Sequence, residues 1–308
     1  MSESAKKFST AKPAFLRGGT SKREEVWLVR ASLRKSGLHT VCEEAHCPNL
    51  GACFAKKTST FLILGKVCTR SCRFCAVGKG RPGPADPGEP GRVAAMAKAL
   101  NLKHVVITSV TRDDLADGGA SQFLATVNAL RQALPSASIE VLTPDFRGSR
   151  ESLSVVLSGK PEVFNHNLET VPRLYPMARP GADYRRSLSV LAFAKKHSPN
   201  LTVKSGIMAG MGEDRREIIE LMKELKDAGC SVLTIGQYLA PSRAHWPVAR
   251  YYEPGEYQEL KEAGEKIGIE FVFAGPLVRS SFNAFEVYAQ ANARRSGATM
   301  APGEGGGF

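Results

Sequence analysis

The stretch TSTFLILGKVCTRSCRFCAVGKG, Thr58 to Gly80, decides the fold. Its first part, TSTFLILG, is a short apolar run stopped by Gly65, the pattern of a strand covered on both faces. Its second part places Cys68, Cys72 and Cys75 in the loop directly behind that strand. The rhythm then repeats. Helical GRVAAMAKALNL leads to HVVITSV and SQFLATVNALRQAL to IEVLTP; VFNHNLE follows, then YRRSLSVLAFAKKH with LTVKSGIMAG, and REIIELMKELKDAG with SVLTIGQYL. Six strand-like runs separated by helices or crossovers predict parallel βα units. The expected architecture is α/β, a partial (β/α)6 barrel of the TIM type, with its active site in the loops after the strands' C-terminal ends. The cysteine loop falls at that mouth.

Working outward, the barrel is expected over 58–270, with an N-terminal extension over 1–57 and a C-terminal extension over 271–308. The extension's end, GATMAPGEGGGF, is too rich in glycine to bury a core and reads as a flexible tail. A length of 308 residues suits one large α/β domain with appendages. With 43% hydrophobic and 23% charged residues and no apolar run long enough for a bilayer, the composition is that of a soluble enzyme. No apolar stretch follows the basic residues at the start, so no secretory signal is expected and a cytoplasmic location is. In that reducing compartment, clustered cysteines bind metal more often than they pair. The net charge of +12 predicts attraction to an acidic partner. Its densest part is the N-terminal arm with Lys6, Lys7, Lys12, Arg17, Lys22 and Arg23, for which a solvated face is the simpler account.

Six of the seven cysteines form two triplets, Cys42-x4-Cys47-x5-Cys53 and Cys68-x3-Cys72-x2-Cys75. Thiolates are soft ligands for iron–sulfur clusters or zinc. Structural zinc usually closes with four Cys or His, often as paired Cys-x2-Cys arms, and that pairing is missing here. Three thiolates per [4Fe–4S] cluster leave one iron open. Phe74 reads as an apolar shield for the second triplet, His46 as a neighbour of the first, and Cys230 as a buried apolar cysteine.

The run CTRSCRFC resembles the radical S-adenosylmethionine superfamily. The resemblance implies that the iron left bare by Cys68, Cys72 and Cys75 binds S-adenosylmethionine, whose reductive cleavage yields a 5′-deoxyadenosyl radical that abstracts hydrogen from an unactivated carbon. Gly118 and Gly119, followed by Ala120 where an acidic residue is usual, resemble the superfamily's glycine-rich cofactor stretch. GIMAGMGE, Gly206 to Glu213, is similar to its Gly-x-Ile-x-Gly-x-x-Glu segment against the adenine, with Met208 in the Ile place and Gly210 as its second glycine. Tight turns use glycine as well. Asn165, Asn167 and Glu169 end a strand, as cofactor-hydroxyl partners should. Lys204 is expected to reach a carboxylate, or to pair with Glu43 or Glu44; Arg243 and His245 are loop residues that substrate or structure would explain.

HTVCEEAHCPNLGACF, with its VCEEAxCPN frame, resembles the lipoyl synthase family, as do VTRDDLADGGA (Val110–Ala120), FNHNLETVPRLYPMARPGADY (Phe164–Tyr184), LTIGQYLAPSRAHWPVARY (Leu233–Tyr251) and RSSFNA (Arg279–Ala284). The likeness spans roughly 12–284. It implies an auxiliary [4Fe–4S] cluster on Cys42, Cys47 and Cys53 with Ser281, rather than the adjacent Ser280, as fourth ligand. It also implies radical insertion of two sulfur atoms, taken from that cluster, at C6 and C8 of a protein-bound octanoyl-lysine. Implied partners are octanoylated lipoyl-carrier domains (2-oxoacid dehydrogenase E2, glycine cleavage H protein), an electron donor such as flavodoxin or ferredoxin, and an iron–sulfur cluster carrier; no nucleic acid and no membrane are expected. Ala52 stands where the family often has Glu, Thr111 where it often has Asp, and Phe282 in place of the Tyr of RSSY. None of these removes a ligand. Two other readings use the same cysteines: a methylthiotransferase acting on tRNA, although no appended RNA-binding domain is visible, and a zinc-stabilised nucleic-acid-binding protein.

Overall fold

In the computed structural model the described residues are 12–16, 23–55 and 59–296. Most of the basic arm and the Gly297–Phe308 tail lie outside them. Seven parallel strands follow one another in chain order: β1 (Thr60–Ile63), β2 (His104–Ser109), β3 (Ser138–Leu142), β4 (Val163–Asn165), β5 (Thr202–Ala209), β6 (Val232–Gln237) and β7 (Phe271–Gly275). A short strand, His39–Thr40, pairs antiparallel on the free edge of β1. The sheet is a partial barrel, with one strand more than the six expected. β7 pairs with β6 from Phe271↔Val232 to Gly275↔Gly236. Its FVFAG run falls at the start of the segment expected as the C-terminal extension, 271–308, which therefore contributes a strand to the barrel.

Helices α1 (Glu89–Ala99), α2 (Ala120–Ala133), α3 (Arg150–Ser158), α4 (Tyr184–His197), α5 (Arg215–Asp227) and α6 (Pro254–Ile267) cross between successive strands. Their ends follow local chemistry. Ser149 and Asp183 accept backbone N–H bonds at the starts of α3 and α4, and Asp214 with Glu217 forms a capping box on α5. Ile218, Leu221, Met222 and Leu225, spaced three and four apart, bury the inner face of α5. A C-terminal helix, Ala284–Ser296, packs back on the sheet: Val287 and Ala291 join Val232 and Phe271, and Tyr288 stacks on His104 at 5.6 Å.

The turn into α2 requires glycine. Gly119 has φ +92°, and a Cβ there would run into the Leu64 side chain behind β1. Gly119→Ala combines a left-handed backbone with overpacking, so it should destabilise the fold by about 2–4 kcal/mol, read as a lower urea midpoint.

Candidate active site

Every strand from β1 to β6 sends residues from its C-terminal end, or the loop after it, into one cavity of about 330 Å³. Cys42, Cys47, Cys68, Cys72, Cys75 and Ser281 all border it. Two segments far apart in sequence have thus been brought to one mouth. None of the seven cysteines, all within the described residues, is in a disulfide.

The second triplet is held by backbone. Val67–Cys68 and Gly78–Lys79 form a two-stranded parallel ladder that closes the loop at its stem. Within it, the Cys75 N–H donates to the Cys72 carbonyl, and outside it the Arg73 N–H donates to Ala178 at 2.9 Å. Cys68 Sγ accepts from the N–H groups of Arg70 (3.4 Å) and Thr111 (3.3 Å), which fix the position of the sulfur. Arg70 then anchors the loop to its neighbours. Its buried guanidinium donates to Asp113 at 2.7 and 3.0 Å and to Asp145 at 2.6 Å. Phe74 lines the cavity, as a shield should.

The first triplet is fixed from the opposite terminus. Asn49, within the CPN turn, donates through Nδ2 to the Leu277 carbonyl at 2.7 Å, tying the N-terminal extension to the segment that carries Ser280 and Ser281. Ser280 Oγ accepts from Asn167 Nδ2 at 3.2 Å. Ser281 borders both the main cavity and a second cavity behind it, and Cys53 lines only the second. Ser281 thus borders the space that Cys42 and Cys47 line as well as the space that Cys53 lines. Three soft thiols per triplet are the donor chemistry of thiolate-held groups, and among the described residues no three His, Cys, Asp or Glu side chains close around a single metal ion. Burial pushes the thiols of Cys42 and Cys75 up to about 11 and also raises Cys47 and Cys72, so a bound cation is what makes their thiolates favourable.

At the end of β4, Asn167 and Glu169 line the cavity, and Met208 of β5 faces them. Asn167 Nδ2 donates to Glu169 Oε1 at 3.1 Å, while Asn167 Oδ1 is buried with no hydrogen-bond partner, an acceptor left for a bound donor. Gly206 makes room for this arrangement, since a Cβ there would come within 2.8 Å of both Asn167 Oδ1 and Thr234 Oγ1. Arg179, which sequence reasoning passed over, backs the group. Its Nη1 donates to the carbonyls of Asn167 (3.0 Å) and Leu168 (3.2 Å) and to Tyr175 Oη (2.6 Å). Burial raises the Glu169 pKa, and the Arg179 charge opposes the rise.

Other expected residues lie elsewhere. Lys204 and Asn165 do not border the cavity: Lys204 Nζ donates to Glu140 at 2.9 and 3.1 Å and Asn165 Nδ2 to the same carboxylate at 2.9 Å, all fully buried. Glu43 pairs with Arg30 and Glu44 with His39, which corrects the pairing expected for Lys204. Gly118 and Gly119 form the turn into α2 behind the cavity wall, and Gly210 belongs to a turn closed by Glu213, whose carboxylate accepts from the Gly210 and Met211 N–H groups. Arg243 and His245 are also outside the lining, and His245 pairs with Ser242. Cys230 is buried, with Sγ donating to the Val232 carbonyl.

The radical SAM superfamily profile matches residues 62–225, from β1 into α5. The chain is 52% identical over 275 residues to the lipoyl synthase of Rubrobacter xylanophilus, covering 89% of this chain and 85% of the relative. It is 53% identical over 261 residues to that of Caldanaerobacter subterraneus subsp. tengcongensis, covering 85% and 92%. The chain belongs to the lipoyl synthase family. Solved structures show the same fold at low identity: Streptococcus suis SuiB bound to S-adenosylmethionine has TM-score 0.51 at 15% identity over 65% of this chain and 45% of that one. The [FeFe]-hydrogenase maturase HydG has TM-score 0.55 at 12% identity over 83% and 57%. Lipoyl synthase membership agrees with the resemblance read from VCEEAHCPN and RSSFNA. Among the described residues no helix is long and apolar enough to cross a membrane.

Proposed function

We infer that this enzyme inserts two sulfur atoms, at C6 and C8, into an octanoyl chain carried on a lysine of a lipoyl-carrier protein. The observation that carries the reading is the meeting of five of the six triplet cysteines with Ser281 at one barrel mouth, Cys53 lining the cavity behind Ser281. When bound there, S-adenosylmethionine and one [4Fe–4S] cluster supply a hydrogen-abstracting radical, and a second [4Fe–4S] cluster supplies sulfur. Cys68, Cys72 and Cys75 would hold the first cluster; Cys42, Cys47, Cys53 and Ser281 the second.

The remaining work belongs to the chain's own side chains. Asn167 and Glu169 offer an acceptor pair to cofactor hydroxyls, and Arg179 keeps that pair fixed from behind. Because Ser280 Oγ is engaged by Asn167, Ser281 is the serine better placed to ligate. Lined largely by apolar groups such as Leu62, Phe74, Val110 and Tyr238, the cavity excludes water from a reactive intermediate. E2 and H-protein carrier domains, a flavodoxin or ferredoxin as reductant, and an iron–sulfur carrier are the proposed partners. The positive charge of the chain suits steering toward acidic carriers.

The test is anaerobic incubation with octanoylated carrier peptide, S-adenosylmethionine and a reductant, followed by mass spectrometry. The expected result is a gain of two sulfurs, with no net change in hydrogen for the reduced dithiol and a loss of two hydrogens once it is oxidised to the cyclic disulfide. Cofactor cleavage with an unmodified peptide would overturn it.

A further inference from the structure

Among the described residues Ser281 is the one shared by these two cavities. Behind the mouth lies a second hollow of about 320 Å³, lined by Cys53, Ser59, Thr60, Lys103, His104 and Phe282 among others. Cys53 is also the one triplet cysteine absent from the mouth. A group held by Cys42, Cys47, Cys53 and Ser281 therefore has a front edge, facing the reaction, and a rear edge, facing this hollow. The rear wall contains an unsatisfied polar atom. Ser59 is 3% exposed, and its Oγ has no hydrogen-bond partner. A hydroxyl left dry and unpaired is one that a polar visitor would satisfy. The rim is open: Ala52, Lys103 and Glu286 are exposed.

We propose that this rear cavity is the passage by which iron and sulfide reach the Cys53–Ser281 edge when the auxiliary cluster is rebuilt. The proposal rests on the functional reading above, in which the sulfur donor is spent at each round and the front is shared with cofactor and carrier. The assembly balances. Two ferrous and two ferric ions with four sulfides give the +2 core, while three thiols and one hydroxyl release their protons to the buffer. Free ions and a cluster handed over by other thiolates present the same chemistry at the same opening.

The experiment uses the full-length chain with Cys68, Cys72 and Cys75 replaced by Ala, so that visible absorbance reports the first triplet alone. Cluster-free protein is refilled anaerobically with mixed ferrous and ferric iron and sulfide in one arm, and with a cluster on a synthetic cysteine peptide in the other. Ala52→Trp and Lys103→Trp close the rim. Each should slow refilling about tenfold in at least one arm while the final iron content stays the same, the affected arm naming the source. Iodoacetamide labelling of cluster-free protein, read peptide by peptide, should slow at Cys53 and not at Cys47, which separates a plugged passage from a damaged fold. Refilling at the unplugged rate in both arms would overturn the passage and leave the function standing. No iron uptake by the unplugged protein would overturn both.

Discussion

Replacing Cys47 by Ala is expected to reduce sulfur insertion about a thousandfold or more while cleavage of S-adenosylmethionine to 5′-deoxyadenosine continues; Cys72→Ala should abolish both. The asymmetry follows from where the two thiols stand. Cys72 belongs to the loop after β1, locked by the Val67–Cys68 ladder and by Arg70. Cys47 belongs to the N-terminal extension, joined to the C-terminal segment through Asn49. The bonds named for the two supports involve different residues, so losing one thiol should leave the other triplet's framework intact. Iron content separates the variants from misfolded protein: about eight irons per chain in the parent and about four in each variant. Ser281→Cys should keep the iron and slow sulfur release, because a thiolate is a softer and firmer ligand than an alkoxide. Equal loss of cleavage and insertion in Cys47→Ala would show that the two sites do not act separately.

How much of this was legible in the sequence depends on whether a residue's role is local. The second triplet is, because the strand before Cys68 sets its loop at the barrel mouth, whereas Cys53 of the first lines the cavity behind. The resemblance named Ser281, but nothing local distinguishes it from Ser280. What separates them is Asn167, more than a hundred residues upstream, whose amide engages Ser280. Arg179 was invisible for a similar reason. It reads as a surface arginine in YPMARPG until folding turns it inward onto the carbonyls of Asn167 and Leu168. Lys204 misled in the opposite direction. A lysine on a strand near the active end suggests a ligand-binding cation, and the residue that claims it, Glu140, lies on a non-adjacent strand. Gly118 and Gly210 were read toward cofactor, but each belongs to a turn outside the lining.

The Lys204–Glu140 pair should produce the largest effect on stability. Glu140 on β3 accepts from Lys204 on β5 and from Asn165 on the intervening β4, and His104 of β2 approaches it at 3.5 Å, so one carboxylate joins four strands inside the barrel. Lys204→Met strands that carboxylate in a dry interior and should cost about 3–5 kcal/mol, measured by anaerobic urea unfolding near neutral pH. If Lys204 instead served the cofactor, the variant would keep its stability and lose affinity for S-adenosylmethionine. The pH dependence separates the cases further. Burial alone would raise the Glu140 pKa, but the charge of Lys204, with His104 and Asn165, holds it at about 2. A depressed carboxylate stabilises the fold above its unfolded pKa, about 4.3, and that contribution is lost as pH falls toward 2. In Lys204→Met the largest opposing influence is gone while His104 and Asn165 stay, so the Glu140 pKa rises and protonation relieves the unpaired charge at a higher pH than in the parent. The gap between parent and variant should therefore narrow steadily on acidification from neutrality. Glu140→Leu combined with Lys204→Met should recover most of the lost stability at neutral pH, because an apolar pair has no charge left to desolvate.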